Sequence, residues 1–421
     1  MKCSTVYEIV KRKKIKPSPL KLHRNLALGI RSGLHQILTE EQALRPTLSS
    51  LLKNKKWGSR DRKLLAEGLL EIIRWKNRFL YLGNVDPNDA DIHWKLIALW
   101  ILSSEGALPP WEEFNFSDPL TLDNQPNDTL PRIYKESIPD WMDQMGVETF
   151  EASFWEKEIQ ALNELAPLVI RCNTRHCSLD ELQQALLDEY GIESEKISGI
   201  PEGLRLPFHQ KITHLPLFKK GGFEIQDANS QRVAAWAAPK KNSLIVDACA
   251  GGGGKSLHIA DLIGDKAKIH AIDIHESKLN QLKQRAQRSG IHSIETHLAT
   301  ENELFEDLKE KADLVLIDAP CSGLGTLRRN PAIKWHLTPE KINKLCALQA
   351  SLIDKNAQLV KPEGVLIYAT CSILPQENTN QVHQFLSSPL GSSFHLEKET
   401  SFFAHTSSFD GFYIARMVRN S

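Results

Sequence analysis

The chain lacks several features that would settle its class at once. Its 421 residues contain no apolar run approaching the roughly 20 residues that a membrane-spanning helix requires. The first residues hold no apolar core of the kind a secretory leader carries, so a cytoplasmic protein with no membrane partner is expected. Cysteines number only 7, an odd count without regular spacing, which fits a reducing compartment better than a disulfide framework. Net charge is absent too, since 52 Lys and Arg balance 52 Asp and Glu.

That balance hides an asymmetry. Residues 1–80 hold 19 Lys or Arg against 6 acids, whereas residues 81–160 hold 4 against 16. A basic block of this kind, with Lys53, Lys55 and Lys56 near its centre and KRKKIK at 11–16, suits a polyanion such as RNA. A solvated face beside a disordered tail is the plainer alternative.

At this length two or three domains are expected. Leu22, Leu26, Ile30, Leu34 and Leu38 recur every four residues, and Leu65, Leu69, Ile72, Ile73 and Leu80 form a second stripe, so residues 22–82 read as amphipathic helices. IHWKLIALWIL (92–102) reads as a more buried helix, and 109–131, rich in Pro, Asn and Asp, as a long loop. The helical pattern resumes from about 140 as far as Pro167. LVIRC (168–172), SLDELQQALLDEY (178–190) and GLRLPF (203–208) then read as strand, helix and strand, and Ser178 with Glu181 makes a capping box. The expected division is a helical domain over 1–130, a small α+β module with a helical lead-in over 131–215, and a catalytic domain over 216–421.

In that last region strand-like runs at 244–247, 269–273, 314–318 and 365–370 alternate with helical segments, the pattern of a Rossmann-like, doubly wound and mostly parallel sheet. Ligands bind such sheets beyond the carboxyl ends of the strands. Asp247, Asp273, Asp318 and Cys371 all stand at such ends, so one pocket is expected to gather them.

DACAGGGGKS (247–256) joins the first of these strands to a helix. Consecutive glycines allow close approach to a ligand, and the helix N-terminus beyond favours an anion. A nucleotide triphosphate would need glycine at 249 for the P-loop spacing, and Cys249 stands there. S-adenosylmethionine, which calls for glycine contact and an acid for its ribose, suits the loop and Asp273 better.

Cys321 and Cys371 each follow an apolar run, LVLID or VLIYAT. A free cysteine is most often a small buried residue. No C-x-x-C or Cys–His spacing accompanies the two, and no metal is expected. A pair of thiols with a carboxyl nearby also matches one reaction. Carbon 5 of cytosine is too weak a nucleophile to attack a methyl sulfonium unaided, and a thiolate added to carbon 6 makes it an enamine. A carboxyl at the ring nitrogen stabilises the developing charge, and a base must later remove the carbon-5 proton.

QDANSQ (226–231), DACAGGGGK (247–255), DAPCSGLGTLRRNPAIKW (318–335), YATCSILPQEN (368–378) and DGFYIARM (410–417) occur in that order. Through them almost the whole chain resembles the RsmB/NOP family of RNA cytosine-5 methyltransferases. The resemblance implies Cys371, in T-C-S, as the nucleophile and Cys321, in P-C-S, as the group that releases product. DNA enzymes instead use the cysteine of a P-C motif, so the two motifs together favour RNA. The resemblance also implies a cofactor site for S-adenosylmethionine formed by Cys249, Ala250, Gly251, Gly252, Gly253, Gly254, Lys255, Asp273 and Asp318, with Asp318 also near the target base. Arg328, Arg329 and Lys334, which follow the catalytic strand, are expected to place the RNA.

The first domain resembles a NusB-like RNA-binding domain, and the module at 168–208 a small RNA-binding domain. The implied substrate is ribosomal RNA and the expected state a monomer. A transfer RNA enzyme and a non-catalytic RNA-binding relic are the alternatives. Two departures stand out: Gly251 and Gly252 replace the usual alanine and proline, predicting a looser loop, and Ala299 or Thr300 stands where an adenine-side acid is usual.

Overall fold

The leucine and isoleucine stripes of the first hundred residues wind into helices because their spacing puts one apolar face on each. In the computed structural model, which describes residues 22–54, 57–104, 106–123, 125–207, 210–300 and 302–421, these helices are Arg24–Leu38, Leu44–Leu52, Ser59–Arg74, Lys76–Leu82 and Ile92–Ser103. Leu26, Ile30, Leu34 and Ile37 of the first pack with Leu65, Leu69, Ile72 and Ile73 of the third. Leu96, Ile97 and Leu99 of the fifth complete the cluster, each such side chain contributing about 1.5–3 kcal/mol by leaving water. Among the described residues of 109–131 there are only short 3-10 turns at Glu112–Phe114 and Asn127–Thr129, as their polar, proline-rich composition predicts. The basic run at 11–16, Lys55 and Lys56 lie outside the described residues.

The chain divides into two units. One holds the described residues up to Ala152 together with Asn330–His336; the other holds Ser153–Arg329 and Leu337–Ser421. The helical unit therefore passes the expected boundary at 130, taking in helices Arg132–Lys135 and Asp140–Phe150. It also recovers seven residues from far along the chain.

The second unit begins its sheets with β1 (Leu168–Cys172), β2 (Glu195–Lys196), β3 (Gly203–Leu206) and β4 (Phe223–Ile225). They form an antiparallel sheet in the order β2-β3-β1-β4, with the helix Leu179–Tyr190 packed on it through Leu182 and Leu186. The capping box is present: Glu181 N–H donates to Ser178 Oγ at 3.2 Å, and Ser178 N–H to Glu181 Oε2 at 2.7 Å. Because β4 pairs with β1, the small module runs past residue 215.

Seven strands follow: β5 (Leu244–Asp247), β6 (Lys268–Asp273), β7 (Ile294–Leu298), β8 (Ala312–Asp318), β9 (Val360–Thr370), β10 (Phe394–Phe402) and β11 (Phe412–Arg419). Their order is β10-β11-β9-β8-β5-β6-β7. The pairs from β7 across to β9 are parallel, and β11 joins antiparallel to β9 and β10. This is the expected Rossmann-like sheet, and the strand order reverses at β5, where β6 and β8 lie on either side. The crevice for a ligand in such folds opens there, beyond the strand carboxyl ends.

Small module and large sheet are joined by buried polar contacts. Arg171 of β1 donates to Asp261 Oδ2 at 3.0 Å and to Gln226 Oε1 at 2.9 Å. Asp261 also accepts from the Thr174 and Arg175 amides, each at 3.1 Å. Burial raises the Asp261 carboxyl against the opposing pull of Arg171.

Candidate active site

The turn after β5 is shaped by its glycines. Gly253 has φ of +80°, and a Cβ there would lie 2.4 Å from Leu282 Cγ, so only glycine can start the helix Gly254–Leu262 at this point. A Cβ on Gly251 would meet nothing within 4 Å, which marks open space over the loop. The expected looseness is countered by two anchors. Gly251 N–H donates to Asp273 Oδ2 at 2.8 Å, and Arg285 donates from Nη1 to Gly252 O. Arg285 also reaches Glu224 Oε2 of β4 at 3.0 Å, linking the small module to the loop.

Asp273 closes β6 and accepts from His275 N–H at 2.8 Å as well. Ala250 is buried, and burial pushes the Cys249 thiol well up, which makes it a structural rather than reactive sulfur. At the end of β5, burial pushes the Asp247 carboxyl up to about 7 in spite of a 2.5 Å bond from Ser256 Oγ. Lys255 crosses to the next strand end, with Nζ 2.5 Å from Asp318 Oδ2 and 5.3 Å from the centre of the Phe412 ring. Ala299 follows β7 and gives its N–H to Asp273 O at 3.1 Å, with no acid at that place.

Beyond β8 and β9 the two cysteine loops meet. Cys321 Sγ lies 3.4 Å from Cys371 Sγ, both thiols part-buried. Donation to Cys371 and burial raise the Cys321 thiol well above its ordinary value, so it holds its proton.

What fixes this approach is Glu377, a residue the sequence reading passed over although it stands in the quoted YATCSILPQEN. Its buried carboxylate accepts from Ser322 N–H at 2.7 Å, from the hydroxyls of Ser322 and Ser372, and from Gln349 Nε2 at 3.1 Å. One acid thus clamps the serine of P-C-S to the serine of T-C-S. Gln349 also donates to Pro320 O at 2.9 Å. A second tie runs through backbone: Gly325 N–H donates to Cys371 O at 3.0 Å and Gly411 N–H to Gly325 O at 2.8 Å. A Cβ on Gly325 would lie 2.1 Å from Gly411 O, so the strands of backbone meet only because glycine stands there.

The residues expected to place RNA divide differently. Arg328 is buried and donates to Ala161 O at 2.7 Å and Ser408 O at 2.8 Å. Arg329 joins Asp410 Oδ2 at 2.5 Å and Asp227 Oδ2 at 3.1 Å, gathering the first and last quoted motifs. Lys334 is fully buried in the helical unit, where Nζ donates to Arg74 O, Glu136 O and Ser137 O at 3.0–3.2 Å. Arg328 and Lys334 are therefore corrected from RNA contacts to structural donors, since buried donors already spent on carbonyls cannot bind phosphate. Lys53 is exposed.

Residues 234–418 match the family described as 16S rRNA methyltransferase RsmB/F, and residues 138–213 match the ferredoxin-like domain of RsmF/B-like methyltransferases. The probable ribosomal RNA small subunit methyltransferase B of Synechocystis sp. is 39% identical over 259 residues, 59% of this chain and 56% of that protein. The ribosomal RNA small subunit methyltransferase B of Pasteurella multocida is 36% identical over 254 residues, with the same 59% and 56% coverage. The chain spans about half the length of the curated relatives it matches. Two solved structures share the fold. PH0851 superposes with a TM-score of 0.74 at 24% identity, over 94% of this chain and 97% of that one. NSun6 from Pyrococcus horikoshii with SFG superposes with a TM-score of 0.63 at 21% identity, over 68% of this chain and 100% of that one. Residues 234–418 are thus similar to the methyltransferase domain of the RsmB/F family, and residues 138–213 to its ferredoxin-like domain.

Proposed function

We propose that the protein is an S-adenosylmethionine-dependent RNA methyltransferase that forms 5-methylcytosine in ribosomal RNA through a covalent cysteine–cytosine intermediate. The observation that carries this reading is the 3.4 Å approach of Cys321 and Cys371 beside the Lys255–Asp318 pair. The relatives named for small-subunit ribosomal RNA support the substrate class.

The residues present fit the cofactor. Open space over Gly251, the helix N-terminus at Gly254 and the Asp273 carboxylate suit an amino-acid and ribose moiety. Bound there, S-adenosylmethionine supplies an electrophilic methyl group, which an activated carbon 5 takes. The chain's own residues do the activation. Cys371 as thiolate adds to carbon 6 of the cytosine, forming the S–C6 bond and moving the C5–C6 π pair into an enamine. The Asp318 carboxyl would give a proton to the ring nitrogen as negative charge develops there, and Lys255, on its Oδ2, would stabilise the carboxylate left behind. Once carbon 5 carries the methyl group and Cys371 is tied up as a thioether, Cys321 gives its own proton to solvent and, as the thiolate, removes the carbon-5 proton. The released pair re-forms the double bond as the S–C6 bond breaks, and Cys371 leaves as thiolate. The helical unit and the small antiparallel module serve to hold RNA.

Labelled cofactor binding, followed by bisulfite sequencing of small-subunit RNA incubated with the enzyme, tests the reading. The expected result is one protected cytosine. Methylation confined to transfer RNA, or label on an atom other than carbon 5, would overturn it.

A further inference from the structure

Away from the strand carboxyl ends, three potential ligands converge on one face of the edge pair β6–β7. In that parallel pair His270 stands opposite Glu295 and Ile272 opposite His297, so residues 270, 272, 295 and 297 share a face. Ile272 packs into the core there, with Leu304 and Phe305 of the helix Asn302–Leu308. His270 is buried, the His297 side chain is 19% exposed and Glu295 reaches solvent, which grades the cluster from interior to surface.

The separations are those of a coordination sphere. His270 Nδ1 lies 2.9 Å from His297 Nε2 and 3.7 Å from Glu295 Oε2, and His297 Nε2 lies 4.0 Å from the same oxygen. Zinc binds imidazole nitrogen and carboxylate oxygen at about 2.0–2.2 Å, and a tetrahedron of that size spaces its ligands by about 3.4 Å. The three separations bracket that spacing. Between two facing imidazole nitrogens one must carry a proton for the other to accept; an ion in its place lets both act as donors of electron pairs. Lys268 Nζ lies 3.7 Å from Glu295 Oε2, but both side chains are more than half exposed, so that ion pair resists displacement weakly.

We propose that His270, Glu295 and His297 form a binding site for a zinc-class divalent transition-metal ion, held by two imidazole nitrogens and one carboxylate oxygen with the fourth position left to water. The site pins the edge strand β7 to β6 at a distance along the sheet from the thiols.

Cobalt(II) titration of the full chain tests this. The thiols Cys321 and Cys371 are a competing soft site, so the Cys321→Ser/Cys371→Ser double variant is titrated alongside the wild type. We expect one equivalent in the double variant, with the visible bands of a tetrahedral site and no sulfur-to-cobalt charge-transfer band, displaced by zinc. His297→Ala, a change at a partly exposed side chain, should weaken binding more than about 100-fold, beyond what loss of an outer-shell partner costs. Zinc should raise the melting temperature of the wild type and leave that of His297→Ala unmoved. Binding that disappears in the double cysteine variant and persists in His297→Ala assigns the ion to the thiols and overturns the proposal. Absence of binding in the wild type overturns it as well, leaving a histidine pair that shares a proton.

Discussion

Cys321 and Cys371 stand fifty residues apart in the chain, yet their sulfur atoms lie 3.4 Å from each other. At that distance one thiol can donate to the other, and the two are chemically unequal: the Cys321 thiol holds its proton and directs it at the Cys371 sulfur.

This inequality predicts opposite behaviour on alanine substitution. Cys321→Ala should complete attack and methyl transfer, then stall, and accumulate a protein–RNA adduct stable to denaturing gels. Cys371→Ala should form none and lose turnover by more than about 1000-fold, with cofactor binding nearly intact. An adduct seen in Cys371→Ala and missing from Cys321→Ala would exchange the two roles.

Glu377→Gln should separate the loops. The Ser322 amide and Gln349 Nε2 donate to Oε1 of that carboxylate and the Ser322 and Ser372 hydroxyls to Oε2, and a neutral amide gives up the charge that strengthens all four bonds and forces both hydroxyls to turn. The expected cost is about 2–4 kcal/mol in denaturant unfolding, with turnover falling at unchanged cofactor affinity. Wild-type stability together with wild-type turnover would show that the clamp is dispensable.

Asp247 gives a pH signature. Its carboxyl ionises near 3.8 unfolded but only at about 7 in the fold, so the native state binds more protons between those values. Stability should therefore fall as pH rises from about 4 to about 7. Asp247→Asn keeps an acceptor for Ser256, should flatten that decline and should be the more stable protein at neutral pH. Parallel curves of melting temperature against pH for the two proteins would refute the assignment.

Arg285→Ala removes one anchor of the glycine turn and its tie to Glu224. Affinity for S-adenosylmethionine measured by calorimetry should drop about tenfold, the worth of one charge-assisted bond. An unchanged dissociation constant would mean the loop is held sufficiently by Asp273.

Lys334→Ala should destabilise the helical unit by about 2–4 kcal/mol, because three carbonyls lose their donor inside a packed interior. The salt dependence of RNA binding should stay as it is. Lys53→Gln should do the reverse, flattening that dependence with no loss of stability. A reduced slope for Lys334→Ala would restore it to the RNA surface.

Much of the architecture was legible because parallel strands buried on both faces read as apolar runs. LIVD, LVLID and VLIYAT each stand where a strand was expected, with Asp247 and Asp318 closing the first two and Cys371 following the third. Short or polar edge elements were harder: β2 has two residues, and IETHL of β7 shows no apolar run. The role of Glu377 depends on contacts across 55 residues, which no local pattern carries. Lys334 and Arg328 show the complementary difficulty. A basic side chain destined for buried carbonyls has the same letter as one destined for phosphate, and only the fold separates them.

The return of Asn330–His336 to the helical unit bears on how the protein is made. Domains emerging from the ribosome ordinarily fold in order, each complete before the next appears. Here Lys334, Trp335 and His336 supply the donors for the carbonyls of Arg74, Ile73 and Ile37, so the first unit cannot finish its interior while only its own stretch of chain has emerged. It must wait through synthesis of β1 to β8 for its last piece. A fragment cut at Ala152 would keep that unit permanently in the waiting state, and supplying residues 330–336 as a separate peptide should complete it.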